Sequence, residues 1–151
     1  MNKEDIRLLE EKLVFSSFTH YDAYAIANSI FERVKREKLR RIGIRVTIHG
    51  VVVFQYLMDG KEEDRWLKRK QRTVEELGHS GYYLFLENEE SHIYQKYEND
   101  EKYVICGGGF PICVNGENIG VFCISGLSHE QDHQLIVDAF EQYLSQEENK
   151  K

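Results

Sequence analysis

The sequence is poor in the residues that break or crosslink a chain. One proline and 11 glycines in 151 residues exclude a collagen-like protein or one built from low-complexity linkers. Three cysteines, Cys106, Cys113 and Cys123, make no CxxC pair and no zinc-finger spacing, so neither a disulfide framework nor a structural zinc site is expected. Each lies among Val, Ile and Phe, where a free cysteine acts as a small core hydrophobe. No apolar run approaches the roughly 20 residues that cross a bilayer. The N-terminus places Glu4, Asp5, Glu10 and Glu11 where a signal peptide needs an apolar stretch, which points to a cytoplasmic protein with no membrane partner. Cations are also in deficit: 20 Lys+Arg against 26 Asp+Glu give a net charge of -6, which argues against a surface built for nucleic acid or anionic lipid.

What is present is a globular profile, and 41% hydrophobic residues are enough for a core. A chain of this length folds as one domain, residues 1–151, burying roughly 70% of its unfolded surface. Ile6, Leu9 and Leu13 give residues 3–15 a helical stripe. Thr19 and Asp22 resemble a capping box, followed by a stripe of Ala23, Ile26, Ala27, Ile30, Phe31 and Val34. Alternation of Ile42, Ile44, Val46 and Ile48 predicts a strand, joined through Gly50 to a second, 51–57, whose unbroken apolar run predicts burial on both faces.

Residues 63–77 predict a helix with Trp66, Lys70, Val74 and Leu77 along one side. Residues 80–97 satisfy a helical stripe and also an aromatic strand, with the helix favoured. Tyr103–Cys106 reads as a short strand, and residues 110–114 and 119–125 flank Asn115-Gly116 as a hairpin with a loop longer than two residues. Pro111 falls at a strand start, where a sheet tolerates it. Ser128 with Gln131 caps a last helix, and residues 146–151 are expected to fray. The order gives an α+β domain: a five-stranded antiparallel sheet flanked by helices.

Gly107, Gly108 and Gly109 remove every Cβ from one stretch, so the backbone there admits close approach of a ligand or of another segment. No Lys-Ser/Thr follows, and no strand-to-helix context makes a dinucleotide fingerprint. Trp66 with Lys70 stands one helical turn apart, and Arg69 is set to grip a carboxylate; equally, Trp66 is a core anchor with bases at its rim. Two basic runs, 35–41 and 68–72, offer anion contacts or a solvated helix face. His129 and His133 share HxxxH spacing without a third ligand, and Ser125, Asp132 and His133 lack a nucleophile elbow, so neither a metal set nor a catalytic constellation is expected. Asp132 suits a helix N-terminus.

Taken together, Arg65-Trp66-x-x-Arg69-Lys70-x-x-Thr73-Val74, Gly78-His79-Ser80, Gly107-Gly108-x-Phe110-Pro111-Ile112 and Ser125-Gly126-Leu127 with Asp132-His133 resemble the uncharacterised branch of the GlcG/HbpS-like haem-degrading-domain superfamily. Gly81 departs from the pattern, which places a second serine after Ser80. The resemblance implies profilin-like α/β/α layers and homo-oligomers built from dimers. It also implies haem- or corrinoid-associated relatives, and eukaryotic relatives linked to protein-targeting chaperones.

The leading expectation is a cytoplasmic oligomeric binding module for a small anionic or tetrapyrrole-like ligand at a subunit junction. Lys70 and Arg69 would hold carboxylates, and Ser80 and the backbone of Gly107, Gly108 and Gly109 would donate. Trp66 and Phe110 would give flat apolar contact, and Pro111 and His79 would also belong to the ligand-binding set. A haem axial ligand would come from His79 or His133. The alternatives are a protein-interaction module without a small ligand, marked by an exposed apolar patch and no polar convergence around Lys70, and an enzyme of unassigned reaction.

Overall fold

The computed structural model describes residues 1–149. Helices α1 (Lys3–Lys12) and α2 (His20–Arg36) each begin in a reciprocal capping box, Asn2 with Asp5 and Thr19 with Asp22, which satisfies first-turn N–H groups that have no helical partner. The α2 stripe from Ala23 to Val34 turns inward as its spacing requires. Strands β1 (Gly43–Ile48) and β2 (Val51–Leu57) join through His49 and Gly50, both at positive φ. Helix α3 (Arg65–Leu77) ends at Gly78, whose left-handed backbone (φ 77) closes the last turn.

Residues 80–97 are helical: α4 (Gly81–Ser91), capped by Ser80, and the single turn α5 (Gln95–Glu98). Strands β3 (Gly109–Val114) and β4 (Glu117–Ser125) meet at Asn115-Gly116, with φ of 51 and 82. The loop is therefore a two-residue turn and not the longer one expected, because β4 begins two residues earlier than its apolar run. Helix α6 (His129–Asn149) starts in the Ser128–Gln131 box and carries the chain to Asn149. Residues 146–149 of the expected frayed tail are thus helical, and 150–151 lie outside the described residues.

The sheet has four antiparallel strands in the order β2-β1-β4-β3. The expected fifth, Tyr103–Cys106, is irregular because its backbone bonds to α3 instead of a strand. Thr73 Oγ1 accepts from Val104 N (3.0 Å) and donates to Val104 O (2.9 Å), and Arg69 donates to Tyr103 O. Ile44, Val46, Phe110, Phe122 and Ile124 pack beneath α2 and α6, where Phe140 meets Phe15, Phe110 and Phe122 edge-on. Leu67 and Val74 of α3 cover Val121 and Cys123 on the opposite face. This makes an α+β domain with helices on both sides of the sheet. Strand β2 is the correction on the other flank. It is an outer strand with no fully buried residue, although its apolar run predicted burial on both faces. No helix among the described residues is long and apolar enough to cross a membrane.

Candidate functional site

Helix α3 buries Leu67, Lys70, Thr73 and Val74. Compared with the side read from the sequence, the helix is rotated so that Trp66 is 45% exposed while Lys70 is only 5% exposed. Lys70 Nζ donates to Asp132 Oδ2 (3.1 Å) and to the carbonyl of Ile124 (2.8 Å). Asp132, in the first turn of α6, accepts from Leu127 N at 3.0 Å through its other oxygen. Both charges are thus paired and hydrogen-bonded, the condition under which burial is tolerated. The expected role of Lys70 as a carboxylate holder is corrected here, since an internal carboxylate already takes its charge.

The triple glycine lies against Lys70, and the space it leaves is filled by the protein. A Cβ on Gly108 would stand 2.5 Å from Lys70 Nζ and 2.7 Å from Ile124 O, and one on Gly107 would stand 2.5 Å from His129 O. Gly107 N donates to His129 Nδ1 (2.8 Å) and Gly108 O accepts from Ile124 N (2.8 Å). Glycine is needed so that α3 and α6 can close on the strand start, and Gly108 also has φ 114. Phe110 and Pro111 are buried in the sheet, Phe110 against Phe140, so neither offers a ligand contact on an open surface.

His79 and Ser80 lie elsewhere, where α4 meets α1. Glu10 takes His79 Nδ1 (2.9 Å) on one oxygen and Ser80 N (3.2 Å) and Oγ (3.0 Å) on the other. The hydrogen bond to Glu10 raises the His79 pKa above its ordinary value. His133 is 1% exposed, lies among Tyr82 and Phe110, and has no hydrogen-bond partner on either ring nitrogen. Burial pushes its pKa down to about 4. With Asp132 committed to Lys70 and His133 unpartnered, Ser125, Asp132 and His133 make no proton relay. Burial raises the Cys106 thiol and pushes Cys123 up to about 12, so neither is a ready thiolate. No group of three metal-ligating side chains occurs among the described residues.

A tetrapyrrole does not fit the Lys70–glycine junction. The cation is neutralised, the glycines are packed against protein, and the adjacent imidazole of His133 is sealed beneath aromatic rings.

The open chemistry lies on the outer side of α3. Arg69 donates twice to Tyr103 O (3.2 and 2.9 Å), and its guanidinium carbon lies 4.5 Å from the centre of the Trp66 ring. Beside it is a cleft of about 390 Å³ walled by Arg65, Lys68, Arg69, Arg72 and Lys102, with Asp64 and Glu101. Trp66 also borders a recess of about 200 Å³ with Leu57, Gly60 and Leu67. Sequence reasoning found Trp66 and Arg69, and Arg72 only as the end of the basic run 68–72, but passed over Lys102. Arg72 was legible as the next cation along the same helix face, whereas Lys102 is brought there by the loop before β3.

Fold and site define a single-sheet domain with a buried Lys70–Asp132 ion pair inside and a cluster of cations on the outer side of α3. Residues 18–141 match the family described as haem degrading protein HbpS-like, and the chain belongs to that family. A UPF0303 protein of Schizosaccharomyces pombe is 36% identical over 143 residues, covering 90% of this chain and 80% of that protein. The crystal structure of the Ybr137w protein superposes with a TM-score of 0.87 at 24% identity, over 97% of this chain and 90% of that one. The crystal structure of a PduOC:heme complex gives 0.67 at 19% identity, over 83% and 94%.

Proposed function

We propose that the protein is a cytoplasmic, homo-oligomeric binding module that takes a small polyanion on the outer face of α3. The observation that carries this reading is the fixed Arg69–Trp66 pair at the edge of a cleft walled by five cations, in a chain of net charge -6. Tethering by Tyr103 O orients the guanidinium in advance, which lowers the entropy cost of gripping a carboxylate or phosphate. Arg65, Arg72 and Lys102 make no ion pair among the described residues, so their charge is available to a ligand. Likeness to a haem-complexed structure keeps a tetrapyrrole within the family's range. The cleft, however, has no histidine in its walls, which favours an anion without a metal.

The chain's only tryptophan is part of this site, so its fluorescence reports binding directly. Titration with pyrophosphate or citrate is expected to change Trp66 emission saturably. Arg69→Ala or Arg72→Ala should weaken the affinity by about tenfold, the worth of one charged hydrogen bond. Absence of a saturable change with either anion overturns the reading. A haem absorbance shift that is lost in His79→Ala would replace it with a tetrapyrrole site. Protein interaction is the second reading, and a specific observation favours it: an exposed aromatic face formed by α2 and β2.

A further inference from the structure

Strand β2 forms one edge of the sheet, and α2 covers it only in part. Between them runs a groove of about 630 Å³ walled by Tyr24, Phe31, Phe54, Tyr56 and Met58. The rings form one connected ladder: Tyr21 to Tyr24 at 6.1 Å, Tyr24 to Phe54 at 6.1 Å, Phe54 to Phe31 at 6.3 Å, and Phe31 to Tyr56 at 5.2 Å. Tyr21 is 71% exposed, Tyr56 51% and Tyr24 49%, and Val51 and Val52 extend the apolar surface along the strand. A contiguous patch of this kind on a chain of ordinary polarity marks an interaction surface. Strand β2 carries no charge and no proline, the residues that usually keep a sheet edge from pairing.

Charge around the groove selects the partner. Its rim holds two acids, Glu32 and Asp59, and two bases, Lys35 and Arg41. A partner of uniform sign would meet a like charge there. A surface bearing both signs around an aromatic centre is instead complementary to itself under a two-fold axis, with an acid of one copy meeting a base of the other. Neither Glu32 nor Lys35 makes an ion pair within the chain among the described residues, so both are available across such an axis.

We propose that the α2–β2 face docks the same face of a second copy of this chain. The register slip between Val46 and Thr47 leaves Val53 unpaired in β2 and twists the edge, so the copies meet through side chains and not by extending the sheet. This rests on the homo-oligomer reading above and names the surface that serves it.

Light scattering coupled to size exclusion, on the full chain, tests it with wild type, Tyr24→Glu/Tyr56→Glu, and Ile93→Glu, an exposed apolar position outside the groove. Wild type and Ile93→Glu are expected to share one oligomeric mass. The double tyrosine variant should fall to half that mass or less with an unchanged circular dichroism spectrum, because both side chains are half exposed. Lys35→Glu should weaken association by about tenfold, and adding Glu32→Lys should restore it; this pair keeps the test decisive should the tyrosine variant misfold. Retention of the full mass by the folded tyrosine variant overturns the surface and leaves the homo-oligomer reading standing. A monomeric wild type overturns both.

Discussion

Lys70 and Asp132 are 62 positions apart in the chain and 3.1 Å apart in the fold, each almost without solvent. Removing one partner leaves the other as an uncompensated buried charge, so Lys70→Met or Asp132→Asn should cost about 3–5 kcal/mol in urea unfolding. Lys70→Met with Asp132→Leu should recover most of that loss, falling short because Leu127 N loses its acceptor. A loss under about 1 kcal/mol for Lys70→Met would show that the pair does not support the fold. The position of Lys70 within the α3 pattern was readable, but its partner was not, since helical spacing carries no information on contacts between distant segments. Gly81 shows the same limit. A side chain there would set its Cβ 2.0 Å from the carbonyl oxygen of Cys106, so this packing requires glycine at position 81, a contact between distant segments that local spacing does not carry.

At the scale of elements, polar groups join α1 to α4 and the turn before it: Glu10 with His79 and Ser80, and Lys3 with Glu90 at 3.0 Å. His79 has a folded pKa above its ordinary 6.5, so its contribution to docking is fully present below that value and is lost as pH rises through the folded pKa. Amide exchange in α1 should therefore quicken as pH rises through the neutral range, beyond the intrinsic base catalysis seen in α6. Glu10→Gln should abolish the excess; an excess that persists in the variant would detach α1 docking from His79. Elements with local signals were legible: the first helix from its stripe of Ile6, Leu9 and Leu13, the second from the Thr19–Asp22 box and its stripe, β1 from alternation, and β2 from its apolar run after Gly50. Tyr103–Cys106 was misread because apolar composition marks a buried segment but does not say whether its amides find a strand or, as here, Thr73 and Arg69.

For the whole molecule, the helix–strand order gave the layers, but the rank of each strand depends on the pairing of β1 with β4, which joins residues far apart in sequence. That pairing puts β2 outermost and exposes an apolar run that reads as interior, and the α2–β2 interface accounts for the conflict. The site divided in the same way: Trp66 and Arg69 face outward, while Lys70 and the glycines became the joint between α3, the sheet and α6. That joint also governs behaviour in acid, because it contains His133. Its folded pKa is about 4 against an ordinary 6.5, so as pH falls below 6.5 the unfolded chain takes up a proton that the folded chain refuses. Stability should drop by about 3 kcal/mol across that window from this group alone, the free-energy equivalent of the shift. His133→Leu removes the titrating group and two unpartnered nitrogens while keeping an apolar side chain against Tyr82 and Phe110. The variant should be more stable than wild type at neutral pH by about 1–3 kcal/mol and should show a shallower acid limb in denaturant unfolding. An acid limb of unchanged slope would mean that His133 gains a proton without leaving the core, and the seal over this joint would then be looser than its packing implies.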